Sequence, residues 1–210
     1  MTVSQSLISF VLAAGMLTVT PGLDTALVLR TATVEGATRA AQAALGVVIG
    51  CLFWGSAAAF GLGALLAASE FAFGLLRWLG GAYLLWLGLQ LTLRPRTQLS
   101  SACEALSHTT SGRSGWFWKG LLQNLFNPKI GAFYLSFLPQ CVPQDVPVAG
   151  YTLLLSAIHA ALGLAWFTVL ILAMRPLVRL LRRPNVIKAL DRLTGCVFIG
   201  FGAKLALSPR

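Results

Sequence analysis

Residues 40–69, between Arg39 and Glu70, contain no Asp, Glu, Lys or Arg. A helix needs roughly 20 consecutive apolar residues to cross a bilayer, and this interval supplies more than that. Similar apolar runs recur along the chain, which is 57% hydrophobic and 10% charged. They lack the broken amphipathic pattern of a soluble core. The expected fold is therefore an all-α integral membrane protein. Its 210 residues leave room for about six spans of roughly 20 residues each, with short loops and no separate soluble domain.

Read along the chain, the first span covers about Ser6 to Leu29 and the second fills the interval between Arg39 and Glu70. The third runs about Phe71 to Leu93, the fourth about Trp116 to Leu138, and the fifth lies between Asp145 and Arg175. The sixth, about Leu193 to Leu207, is short: it either crosses with Lys204 snorkelling to the interface or lies partly in the interface. The polar segment from Thr97 to Ser114, rich in Ser and Thr, is the expected linker. Residues 1–96 and 115–210 then form two three-helix repeats within one membrane domain, joined by a cytoplasmic linker at 97–114.

Loop charge orients the chain, because Lys and Arg near span ends stay cytoplasmic. Three loops on one side hold Arg30 and Arg39; Arg94, Arg96, Arg113 and Lys119; and Arg175, Arg179, Arg182, Arg183, Lys188 and Arg192. Arg77, Lys204 and Arg210 fall opposite, and Lys129 lies inside a span. Both termini are expected to face outward, the periplasmic side in a bacterium. The net charge of +10 is thus a topology signal, and nucleic-acid binding is excluded as a partner class. No Lys or Arg precedes Arg30, so the first run lacks the basic region of a cleaved signal peptide and reads as a retained span.

An internal repeat supports the two-fold division. At constant offset, Leu76 to Pro95 matches Leu190 to Pro209 at Leu76/Leu190, Leu79/Leu193, Gly81/Gly195, Gly88/Gly202, Leu91/Leu205, Leu93/Leu207 and Pro95/Pro209. Three spans per repeat is an odd number, so the second half must enter from the opposite face, giving inverted-topology repeats. Spans 1 and 4 then correspond. Each carries a proline break, at Thr20-Pro21-Gly22-Leu23-Asp24 and at Asn127-Pro128-Lys129, and paired broken helices point to a transporter substrate site.

The chemistry at these breaks suits a zwitterion. Proline removes a backbone donor, so carbonyls just before Pro21 and Pro128 become acceptors for an ammonium or cation. Amides that start a new helix suit a carboxylate. Asp24 would meet an amino group, Lys129 or a helix start the carboxylate, and Asn124 and Asn127 would add neutral hydrogen bonds. The candidate substrate site is Thr20, Pro21, Gly22, Asp24, Asn124, Asn127, Pro128 and Lys129, with Asp24 and His159 as candidate proton-relay residues. Counting helical rise places Lys129 near mid-membrane and Asp24 closer to the cytoplasmic end, which argues against a direct ion pair.

Plainer readings stand beside these. Pro21-Gly22 can be a packing kink and Asp24 an interfacial cap; Lys129 can snorkel; His159 can be a hydrogen-bonded packing residue. Gly46 and Gly50 read as helix packing, and Trp116, Phe117 and Trp118 as an interface belt. Cys51, Cys103, Cys141 and Cys196 are too scattered for a disulfide or metal pattern. A divalent-metal carrier needs more convergent ligands than the spans offer, and an enzyme lacks a nucleophile-base or HExxH-type constellation. A non-transporting scaffold explains the hydrophobicity but not the paired breaks.

At these residues the chain resembles the LysE/RhtB family of amino-acid exporters. The resemblance lies in Thr20-Pro21-Gly22-Leu23-Asp24, Gly80-Gly81-Ala82-Tyr83-Leu84 with Gly88, Gly120 followed by Asn124-Leu125-Phe126-Asn127-Pro128-Lys129, and Phe137-Leu138-Pro139-Gln140. Leu23 stands where the family commonly has a second proline, and Cys141 where it has an aromatic. The resemblance implies a proton-coupled efflux carrier for amino acids or close metabolites in a bacterial inner membrane, with no cofactor. It leaves the substrate, and whether the carrier is a homodimer, open.

Overall fold

The computed structural model describes residues 2–68, 70–95, 115–173 and 183–207. The expected linker at 97–114 lies outside the described residues, as do Arg96, Arg113, Arg175, Arg179, Arg182 and Arg210 from the loop-charge reading. The described regular structure is helical: α1 (Val3–Val19), α2 (Leu23–Val34), α3 (Ala37–Ala68), α4 (Glu70–Leu93), α5 (Gly115–Leu125), α6 (Pro128–Ala132), α7 (Val148–Leu172) and α8 (Pro184–Leu207). A π-helical turn at Phe133–Phe137 and a 3-10 turn at Leu138–Cys141 continue α6.

Local sequence explains the ends that matter. Helix α1 opens on a capping box: Gln5 N donates to Thr2 Oγ1 at 3.3 Å, and Thr2 N donates to Gln5 Oε1 at 3.1 Å. It stops at Thr20 because Pro21 cannot continue the hydrogen-bond ladder. Helix α2 restarts from Gly22 at a bend of 47° to α1. Gly36, at φ 95°, takes the left-handed conformation that turns α2 into α3. Helix α6 starts at Pro128, whose missing N–H would have no intrahelical partner there anyway.

Ala37–Gly61 and Val148–Leu172 are long and apolar enough to cross a membrane, and the bent pair α1–α2 passes the same test taken together. The sixth expected span is corrected. Its helix begins at Pro184 rather than about Leu193, and Pro184–Leu207 is not among the described helices that are long and apolar enough to cross a membrane. Lys188, Asp191 and Arg192 look like a loop in the sequence, but Asp191 is wholly buried on the inward face with Ile187, Thr194 and Phe198, while Arg192 is exposed.

Among the described residues, a small apolar cluster around Ala26, Leu27, Ala43 and Trp116 and two large ones form the core. One joins α1, α7, α8 and the π turn around Phe10, Phe133, Phe137 and Leu155, with the Phe133 and Phe137 ring centroids 5.0 Å apart. The other joins α2, α3 and α7 around Val28, Val48, Phe167 and Leu170. Many large apolar side chains, including Ile8, Phe53, Phe60 and Trp86, are exposed, as expected where lipid is the solvent.

Close helix approach depends on small residues, as in membrane helix pairs generally. A Cβ on Gly88 would lie 2.7 Å from Gly195 O, one on Gly195 2.6 Å from Gly88 O, and one on Gly202 3.0 Å from Gly81 O. Helices α4 and α8 therefore pack antiparallel, with Gly88 against Gly195 and Gly81 against Gly202. At the Val3 end of α1, Ser6 Oγ donates to Cys141 O, and Tyr151 OH donates to Ser6 Oγ at 2.9 Å. Tyr151→Phe removes this last bond and should lower stability by about 0.5–1.5 kcal/mol, read as a small drop in unfolding temperature in detergent.

Candidate functional site

The two proline breaks meet. Asp24 is the second residue of α2, where a carboxylate is favoured by the positive end of the helix dipole. Its Oδ2 accepts from Asn124 Nδ2 at 2.9 Å, the penultimate residue of α5, and from Asn127 Nδ2 at 3.2 Å, the cap of α6. The Asn127 amide is used at both ends, because its Oδ1 accepts from Lys129 N at 3.1 Å. One side chain thus starts α6 and holds the carboxylate of α2. Asp24 Oδ1 is buried and has no hydrogen-bond partner among the described residues.

Neighbouring residues fix this arrangement. Gln123 Nε2 donates to Leu23 O, tying α5 to the first turn of α2. Thr20 Oγ1 donates to Met16 O at 2.6 Å and also pairs with Thr194 Oγ1 on α8. A hydroxyl has one proton, so Thr194 is the donor to Thr20. Asn124 Nδ2 also lies 3.5 Å from Cys51 Sγ. Asn124 fits against α3 only because residue 50 is glycine: a Cβ there would sit 2.5 Å from Asn124 Oδ1.

Lys129 reaches back across the break. Its Nζ donates to Leu17 O at 3.3 Å and Thr20 O at 3.5 Å. Leu17 O is the acceptor that an N–H at position 21 would serve in a continuous helix, and Pro21 has none. The long Lys stem explains why depth counting separated Lys129 from Asp24, whereas both line one cavity. His159, on α7, pairs through Nδ1 with Tyr134 OH at 3.0 Å and faces the same cavity.

That cavity has a volume of about 40 Å³. A single water needs about 10–15 Å³ on this measure, so the space holds a few waters and must widen to admit an amino acid. Thr20, Gly22, Asp24, Asn127, Lys129 and His159 line it, facing Val47, Ile130 and Phe167. Asn124 joins the cluster through Asp24 rather than by lining the cavity, while Pro21 and Pro128 shape it from the backbone. Sequence reasoning missed Gln123, Tyr134 and Thr194, and read Cys51 only as one of four scattered cysteines. Of the three, Gln123 left a trace, as a polar neighbour of Asn124 in an apolar span.

The sequence is similar to those of known efflux and membrane proteins. The chain is 32% identical over 193 residues to the threonine efflux protein of Escherichia coli, covering 90% of this chain and 91% of that protein. It is 29% identical over 201 residues to the leucine efflux protein of Klebsiella pneumoniae, covering 95% and 93%. It is also 27% identical over 210 residues to the uncharacterized membrane protein YrhP of Bacillus subtilis, covering 97% and 100%. No solved structure matches it. Residues 16–209 match the family described as LysE type translocator, and the chain belongs to that family of multi-pass membrane proteins.

Proposed function

We propose that this protein exports amino acids or related small zwitterionic metabolites across a bacterial inner membrane. The observation that carries this reading is Asp24, a carboxylate at a helix break with Oδ2 held by two amides from the other break and Oδ1 buried with no hydrogen-bond partner among the described residues. A buried lone acceptor on a cavity that also holds Lys129 suits a ligand with one cationic and one anionic end. The substrate ammonium meets Asp24 and its carboxylate meets Lys129. Asn124 and Asn127 set the acid, and Thr20, Pro21, Gly22 and Pro128 shape the two breaks. The relatives named as threonine, leucine and homoserine efflux proteins support the substrate class.

The carrier has six spans in two inverted three-helix repeats, 1–96 and 115–210, linked by 97–114 on the cytoplasmic side. The reciprocal glycine contacts support this reading. Positions 81 and 88 of one repeat correspond to 195 and 202 of the other, and 88 touches 195 while 202 touches the 81 carbonyl. Such i-to-j and j-to-i contact is what a two-fold relation produces. The site lies between two packed clusters, and alternating access opens one side at a time. Proton entry drives export, with Asp24 as the coupling acid and His159 as its relay partner.

Reconstituted protein loaded with a panel of radiolabelled amino acids tests the reading. At least one neutral amino acid should leave the vesicles faster than from protein-free controls and raise the unfolding temperature in detergent. A panel with neither effect overturns it.

A further inference from the structure

The backbone ladder passes from Thr20 N on Met16 O to Ala26 N on Gly22 O. It steps over Thr20 O, and Pro21 cannot serve Leu17 O. Two peptide carbonyls at one break, on a cavity that also holds a buried carboxylate oxygen, make a seat for a small cation with several N–H donors. Lys129 Nζ occupies both carbonyls.

We propose that these carbonyls are the binding seat for the substrate ammonium, and that Lys129 is a tethered cation that fills the seat when the carrier is empty. This rests on the export reading above. The electrostatics support it. An empty carrier that reorients with two carbonyls bare would hold unpaired acceptors in low dielectric, which is costly. Lys129 satisfies them. When a zwitterion arrives, its ammonium takes the carbonyls and Lys129 swings to the substrate carboxylate, so the carbonyls are filled in both states.

The local build permits this motion. The backbone of Lys129 is pinned by Asn127 Oδ1, and the same amide holds Asp24. The ammonium can therefore move on its flexible stem while α6 stays in place. Arginine keeps the charge but carries a planar fork that two carbonyls set for an ammonium accept less well.

The proposal separates two fluxes. Exchange of internal for external substrate uses only the loaded carrier, whereas net efflux requires the empty carrier to return. In proteoliposomes with radiolabelled leucine, threonine and homoserine, Lys129→Met should lower exchange, because the substrate carboxylate loses its partner, and should lower net efflux roughly tenfold more than exchange, because the empty carrier also loses its tethered cation. Lys129→Arg should recover part of the net efflux. Exchange and net efflux falling in parallel would overturn the proposal, because Lys129 would then act in the loaded state or in the structure alone. Unchanged net efflux in Lys129→Met would overturn it too. Lys129→Gln gives the same comparison if the methionine variant does not purify as a single species. Native protein that supports neither flux refutes the export reading itself, a separate result.

Discussion

Asp24→Asn protein is expected to fold normally and to bind and export its amino acid on the order of 10- to 100-fold less well at low substrate concentration. Asparagine has the same shape as aspartate, and its single oxygen can still accept from Asn124 and Asn127, which reach Oδ2 in the native site. The charge is what goes. Hydrogen bonds to charged groups contribute about 1.5–3 kcal/mol, and about 1.4 kcal/mol corresponds to tenfold in affinity. Substrate-induced shifts in unfolding temperature and initial efflux rates from loaded vesicles measure the effect. Full affinity and rate in Asp24→Asn would remove Asp24 from the substrate site, and efflux still fully driven by the proton gradient would remove it as the coupling acid.

Asp24→Ala separates chemistry from architecture. It strips the shared acceptor from both amides, and a buried polar group left unsatisfied costs about 1–3 kcal/mol. The alanine protein should therefore lose stability as well as export, whereas the asparagine protein loses export alone. Because Asn127 also caps α6, the destabilisation should spread from α2 to the second break.

The breaks were legible in the sequence because proline and an intramembrane acid leave local marks at fixed positions. Pro21 and Pro128 end the ladder whatever surrounds them, and Asp24 beside one of them has few structural uses in an apolar span. Lys129 left only half its meaning in the sequence. Its charge was visible, but its ammonium lies on carbonyls more than a hundred residues earlier, and no spacing rule reports how far a flexible stem reaches. Thr194 was invisible for the same reason, since its partner Thr20 is on another helix. The start of α8 was misread because Lys188, Asp191 and Arg192 together imitate a loop, and only packing reveals that Asp191 faces inward and Arg192 outward. Gly46 and Gly50 read correctly as packing residues, but not that Gly50 makes room for Asn124, the residue that orients the acid.

Gly46→Ala should lower thermal stability by at least as much as any single hydrogen-bond deletion in the fold. A Cβ on Gly46 would lie 2.0 Å from Phe117 O and 2.7 Å from Leu121 N, and one on Gly120 would lie 2.0 Å from Ala43 O. These are backbone atoms, so no rotamer change relieves the overlap and α3 must part from α5. Overpacking of this kind costs about 1–3 kcal/mol or more. The effect should extend to function, because Asn124 lies one helical turn beyond Gly120 on α5, and moving α5 outward draws its amide from Asp24 Oδ2. Gly15→Ala is the control: its Cβ meets nothing within 4 Å, and alanine is the better helix former by about 1 kcal/mol. Unfolding temperatures in detergent should fall for Gly46→Ala and Gly120→Ala and hold or rise for Gly15→Ala. Substrate-induced stabilisation should weaken only in the first two. Equal unfolding temperatures for Gly46→Ala and Gly15→Ala would show that α3 and α5 do not pack this closely, and the placement of Asn124 on Asp24 would fall with it.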